Sequence, residues 1–178
     1  MPLLKRIALA WLLAAAPALA TAPNEYQVKA VFLFNFSRFV EWPAAAFSAA
    51  DAPFTLCLLG EDRFGTQLDV AVQGESVQGH PLVVKRYRDP GELGTCHMLF
   101  IDDSQMSQLD RILGGLGGHA TLTVSDIEHS AERGAIIQFA NENNRLRLRI
   151  NVAAAKSAGL TISSKLLRPA EIVAPRPG

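Results

Sequence analysis

A surplus of charge is missing from this chain: 17 Lys and Arg stand against 17 Asp and Glu. That balance excludes the basic footprint of a nucleic-acid binder. Long hydrophobic runs are missing too. Charged residues interrupt every apolar stretch after the first twenty residues, so none reaches the roughly 18–20 residues a bilayer span needs. Phosphate and nucleophile motifs are absent. The cluster GGLGG at Gly114–Gly118 lacks the Gly-Lys-Ser/Thr of a P-loop and follows a helical pattern, so it reads as a helix stop. There is no G-x-S-x-G elbow. The histidines His80, His97, His119 and His129 include no pair at an H-x-x-x-H spacing. No catalytic residue, metal ligand or cofactor is assigned on these grounds.

What is present begins at the N-terminus, which has the build of a secretory signal peptide. Lys5 and Arg6 are the positive region, Ile7–Ala16 the apolar core around Trp11 and Leu12, and Pro17 breaks it. Ala18-Leu19-Ala20 offers the small-x-small pattern of a cleavage site, placing the cut after Ala20 and the mature terminus at Thr21. The alternative is an uncleaved anchor, for which the apolar core is short. No cysteine follows the cut, so lipid attachment there is not expected. The expectation is export to the periplasm, with residues 21–178 as one domain whose core spans about 25–173. Losing Lys5 and Arg6 leaves it slightly acidic. Cysteine is limited to Cys57 and Cys96. An even count in an oxidising compartment is read first as a disulfide, the alternative being two buried free thiols.

Periodicity predicts the elements. Asn24 caps a helix over Glu25–Glu41, stopped by Pro43. Val28, Val31, Phe32, Phe36 and Phe39 share one face, and Leu33, Phe34 and Val40 carry apolar surface well past a normal stripe. Phe54–Leu59 reads as a buried strand and Phe64–Val72 as a helix. Leu82–Arg86 and His97–Ile101 are further strands, and Ser104 caps a helix through Leu113. Ala120–Val124 is the next strand. This alternation predicts an α/β fold with a mainly parallel sheet flanked by helices. Ala135–Ala140 and Leu146–Ile150, joined by NENN, make a C-terminal antiparallel hairpin. Asn151 caps a short Ala-rich helix ending near Gly159. A last helical turn starts at Ser163 or Ser164, and the tail APRPG is expected to be disordered.

The sharpest polar cluster is SDIEH, where Asp126, Glu128 and His129 follow a strand. Asp102 and Asp103 follow another. Ligand sites of α/β sheets lie beyond the carboxyl ends of strands, so a divalent ion or acid–base work would fit there. The competing reading is ordinary capping and turn formation.

The opening YQVKAVFLFNFSRFVEWP and the closing NENNRLRLRINVAAAKSAGLTISSKLLRPAEIV, with SD and then GAIIQF upstream, resemble the YfiR-like family. The resemblance runs from about Tyr26 to Val173. It implies a Rossmann-like fold, a bridge between Cys57 and Cys96, and no enzymatic activity. It further implies a periplasmic repressor that binds the sensor domain of an inner-membrane diguanylate cyclase. An outer-membrane lipoprotein as a second partner and a homodimer are also implied. Some relatives carry another cysteine pair in the region of Ala131–Gln138, which this chain lacks. Two surfaces are candidates for partner binding, since each has more apolar residues than one core needs. One is the first helix, with Phe34, Arg38 and Trp42 on its outer edge. The other is a groove of Val152, Ala155, Ile162, Leu166 and Leu167, where the family resemblance implies partner or aromatic-ligand contact. A small-molecule binding module is the alternative function.

Overall fold

The Asn24 side chain accepts a hydrogen bond from the Tyr26 amide at 3.2 Å and so opens the first helix, α1 (Glu25–Phe39). The computed structural model describes residues 24–176. The leader expected over residues 1–20 and the end of the APRPG tail lie outside them. The first helix stops earlier than its sequence predicts. Val40 and Glu41 leave it as a short strand, β1 (Val40–Glu41), because β-branched Val40 and Pro43 both favour extended backbone.

The remaining elements follow in order: β2 (Phe54–Leu59), α2 (Thr66–Val72), β3 (Ser76–Val77), β4 (His80–Tyr87) and β5 (Met98–Ile101). A 3-10 turn over Asp103–Gln108 leads into α3 (Leu109–Gly115), then β6 (Leu122–Ser125), β7 (Ile137–Glu142) and β8 (Arg145–Ile150). The chain closes with α4 (Val152–Ser157), β9 (Thr161–Ile162), α5 (Ser164–Leu167) and β10 (Glu171–Ile172). The cap after β5 differs from the sequence expectation. Asp102, not Ser104, holds the turn, its carboxylate accepting from the Ser104 amide at 3.0 Å.

Eight strands form one sheet in the order β10-β8-β7-β6-β5-β2-β4-β3. The central pairs, β4 with β2, β2 with β5, β5 with β6 and β6 with β7, are parallel. The antiparallel β7–β8 hairpin then follows, with β10 parallel to β8 outside it. Its turn is tighter than the NENN reading: Asn143 and Asn144 alone connect the strands, at φ +52° and +59°. Asparagine tolerates that left-handed pair, which matches the twist of the flanking strands. A separate two-stranded ribbon pairs β1 with β9, Val40 opposite Ile162.

Alternation along the strands divides the core. Phe54, Leu56, Met98, Phe100, Val124, Ile137 and Phe139 pack on one face beneath Leu33 and Phe36 of α1 and Leu68 and Val72 of α2. Cys57, Leu59, Leu99 and Ile101 point the other way, beneath Leu109 and Ile112 of α3 and Ile127. β2 is therefore buried at every position, as a central parallel strand between helical layers must be. On the α3 face a disulfide joins Cys57 to Cys96, with Cα atoms 5.8 Å apart. The bridge ties β2 to the residues entering β5.

Candidate functional site

The crevice beyond the carboxyl ends of the parallel strands is filled by the chain's own side chains. Lys29, only 2% exposed, reaches down from α1 to the Asp126 carboxylate at 2.8 Å and to Glu25 at 2.7 Å. Its ammonium also lies 4.3 Å from the centre of the Tyr26 ring. The Tyr26 hydroxyl donates to the same Asp126 oxygen at 3.1 Å. Arg63, from the β2–α2 loop, donates to Tyr26 at 3.3 Å and to Asp103 at 2.6 Å, and its Nε stands 3.5 Å from Asp102. Gly60 lets that loop close: at φ +107° a Cβ there would meet Ser104 Oγ at 2.6 Å.

The electrostatics follow from burial. Burial pushes the Asp126 carboxyl above its usual range, and the hydrogen bond and charge of Lys29 offset this only in part. Burial pulls the Lys29 ammonium down, but Asp126, Glu25 and Tyr26 outweigh it and the net shift is upward. Asp126 Oδ1 and Asp102 Oδ2 are buried without a hydrogen-bond partner. Glu128 and His129 point away from this cluster. Both are exposed, and His129 at φ +59° lies 3.5 Å from Glu128 and 3.6 Å from Glu132. SDIEH is thus split between a buried structural pair and a solvated turn. Among the described residues no three His, Cys, Asp or Glu side chains converge as metal ligands would.

The two surface segments proposed for partner binding are brought together by the β1–β9 ribbon. Ser163 donates its amide to the Phe39 carbonyl at 2.8 Å, so the end of α1 and the start of α5 are neighbours. Phe34, Val152, Ile162 and Leu167 are half-buried and rest on the main core cluster. Arg38 is exposed, its guanidinium 5.8 Å from the Phe34 ring. Ala155 and Leu166, at 1% and 5% exposure, belong to the core.

Trp42 is also core, contrary to its expected place on an outer edge. The extended backbone of β1 alternates sides, so Val40 and Trp42 turn in and Glu41 turns out. Its ring packs edge-on to Phe54 at 4.8 Å, and its Nε1 donates to the His97 carbonyl at 3.0 Å.

The face of α1 differs in the same way. Lys29, Ala30, Leu33, Phe36 and Ser37 face in, while Val28, Phe32 and Phe39 are half-buried and Val31 is 50% exposed. Apolar residues nearly ring this helix, so period alone does not select the inward stripe, which is the one that carries Lys29 to Asp126. The flank Val28-Val31-Phe32-Phe39 becomes surface. Its excess over a normal stripe was the available signal.

At the opposite end, a cavity of about 900 Å3 opens where β5 and β6 begin, lined by Ala46, Leu93, Cys96, His97, Leu116 and Ala158 among others. His97 is fixed as one neutral tautomer: Nδ1 accepts from the Thr55 amide at 3.0 Å and Nε2 donates to the Ala46 carbonyl at 3.1 Å. Burial pulls its pKa down, against the carbonyl contact. Phe47 stacks between His80 and His97, at 3.6 and 4.6 Å.

A family model described as YfiR/HmsC-like matches residues 26–171. Among curated proteins none is detectably similar.

Proposed function

The chain belongs to the YfiR/HmsC-like family, and on that premise we propose that it is a periplasmic regulator holding an inner-membrane diguanylate cyclase inactive. It does so by binding the cyclase's sensor domain. The observation that carries this reading is the surface built where α1 meets the C-terminal segment. Phe34, Phe39, Ile162 and Leu167 lie there half-covered around a ribbon joining the two ends of the family match. Half-buried aromatic and aliphatic side chains on a fixed backbone, beside an exposed Arg38, are the usual material of an interface centre. The crevice that an enzyme of this architecture would use is closed by Lys29 and Tyr26. An outer-membrane lipoprotein that captures the repressor, and a homodimer, extend the same proposal.

Loss of the protein should raise cellular cyclic di-GMP, and membranes incubated with it should yield a cyclase on pull-down. Phe34→Ala with Leu167→Ala should weaken that capture by an order of magnitude or more, as hot-spot truncations do, with little change in melting temperature. An unchanged cyclic di-GMP level in the deletion strain would count decisively against the repressor reading.

A second reading, a small-molecule module, is favoured by the cavity beside His97 and the disulfide, whose volume of about 900 Å3 suits a compact ligand. Titration with aromatic amino acids should then raise the melting temperature with ligand concentration. A flat response across the panel removes that reading.

A further inference from the structure

The charges of this chain balance overall but are not evenly placed. Residues 141–178 carry seven Lys and Arg against two Glu, whereas residues 24–140 carry eight against fifteen acids. The fold places much of the basic part at one edge: β8 and β10 lie beyond β7 in the sheet order and α5 leads into β10, whereas α4 turns back beside the start of β6 and β9 joins the β1 ribbon. The acids at that edge gather on a single cation: Arg149 holds Glu142 at 2.8 Å and Glu171 at 3.0 Å, and Glu132 stands 3.9 Å from it. Arg145 stands across from Glu142 in the hairpin register, but that carboxylate turns to Arg149.

The remaining cations, Arg145, Arg147, Lys156, Lys165, Arg168 and Arg176, are all exposed and none has an acidic partner among the described residues. Arg147 lies opposite Ala140, on the same side of the sheet as Arg149 and Gln138. On β10, Glu171 lies on the side of these arginines, while Ile172, 53% exposed, is opposite Ile150 and on the other face.

We infer that this β8–β10 edge docks on an anionic phospholipid surface. The cations come from separate elements along an edge and do not converge on one point. They therefore suit a diffuse sheet of negative charge better than a discrete anion or a single acidic side chain. The acidic remainder of the molecule is repelled by the same surface, so the field orients the protein as well as attracting it. The inference rests on the membrane-bound partner proposed above for a bilayer to be within reach. Docking through this edge would hold the protein at the membrane in one orientation and confine its search for the cyclase.

The test is co-sedimentation of the protein, purified from the periplasm, with vesicles. Equal parts phosphatidylglycerol and phosphatidylethanolamine should retain it at low salt, pure phosphatidylcholine should not, and salt of about 0.5 M should release it. Each basic residue near such a surface contributes roughly five-fold to partitioning. Arg145→Gln/Arg147→Gln should therefore lower binding at least ten-fold, and Lys165→Gln/Arg168→Gln, on a separate element, by a similar factor. Equal retention on neutral and anionic vesicles would overturn the inference, as would binding untouched by both double variants. Indifference to vesicles, with salt-sensitive cyclase capture lost in Arg145→Gln/Arg147→Gln, would reassign the edge to a protein contact. Because the vesicles hold no cyclase, failure here leaves the repressor reading standing.

Discussion

Lys29→Ala should lower the melting temperature by about 10 °C or more, the largest loss expected from any single charged side chain here. The reason lies in what the substitution leaves behind. Asp126, its side chain 8% exposed, keeps the Tyr26 hydroxyl but loses its ammonium partner at 2.8 Å. One of its oxygens already lacks a hydrogen bond. Stranding one member of a buried pair costs about 3–5 kcal/mol, much of it desolvation of the remaining charge. Lys29→Met/Asp126→Leu removes both charges and should recover most of the loss, since an apolar pair of similar volume is about as stable as a buried ion pair. Thermal melts of the parent, the single and the double variant check this. A single variant that melts with the parent would mean Asp126 finds water or another donor without Lys29.

The second large effect is at the disulfide. Replacing Cys57 and Cys96 together with alanine should cost about 4 kcal/mol, the chain-entropy value for a closed loop of 39 residues. The bridge is well placed to deliver it. It joins elements that the parallel β2–β5 pairing already brings together, so closure asks little of the folded backbone. Cys57 is fully buried and Cys96 is 6% exposed, so a reductant in solution has little access to either sulfur. The expected outcome is a fall of about 10 °C in the alanine variant, and slow reduction of the parent by dithiothreitol under native conditions. Fast reduction without unfolding would instead mark the bridge as a redox-responsive element.

Much of the fold was legible in the sequence because its strands are long, apolar and bounded. FTLCLL, HMLFI and ATLTV are mainly apolar, uncharged stretches ended by Gly, Asp or Ser, and each is a buried strand of the parallel sheet to within a residue or two. The Asn24, Asn151 and Ser163 caps are local hydrogen bonds to an amide two or three residues on. Local chemistry of that kind is readable without the rest of the molecule. The two-residue elements were not legible. β1, β9 and β10 carry no periodicity of their own and exist because a distant segment offers backbone partners.

The candidate site divides along the same line. The sequence by itself determined which residues were available: a helix with apolar surface nearly all round, a cysteine pair, and carboxylates after the strands. It determined the alternation of strand and helix, and with it the layered core, because side-chain period and turn chemistry are properties of neighbours in the chain. Only the tertiary structure decided which stripe of α1 turned inward, the one that packs Leu33 and Phe36 on the sheet and brings Lys29 to Asp126, residues far apart in sequence. Only it moved Trp42 from an expected contact to the core, by ending the helix at Phe39 and extending the backbone. It also gathered Glu132, Glu142 and Glu171 on Arg149 and left Arg145 and Arg147 of the same strand without an acidic partner among the described residues. Each of these outcomes depends on which distant groups compete for one partner, and that competition exists only once the chain has folded.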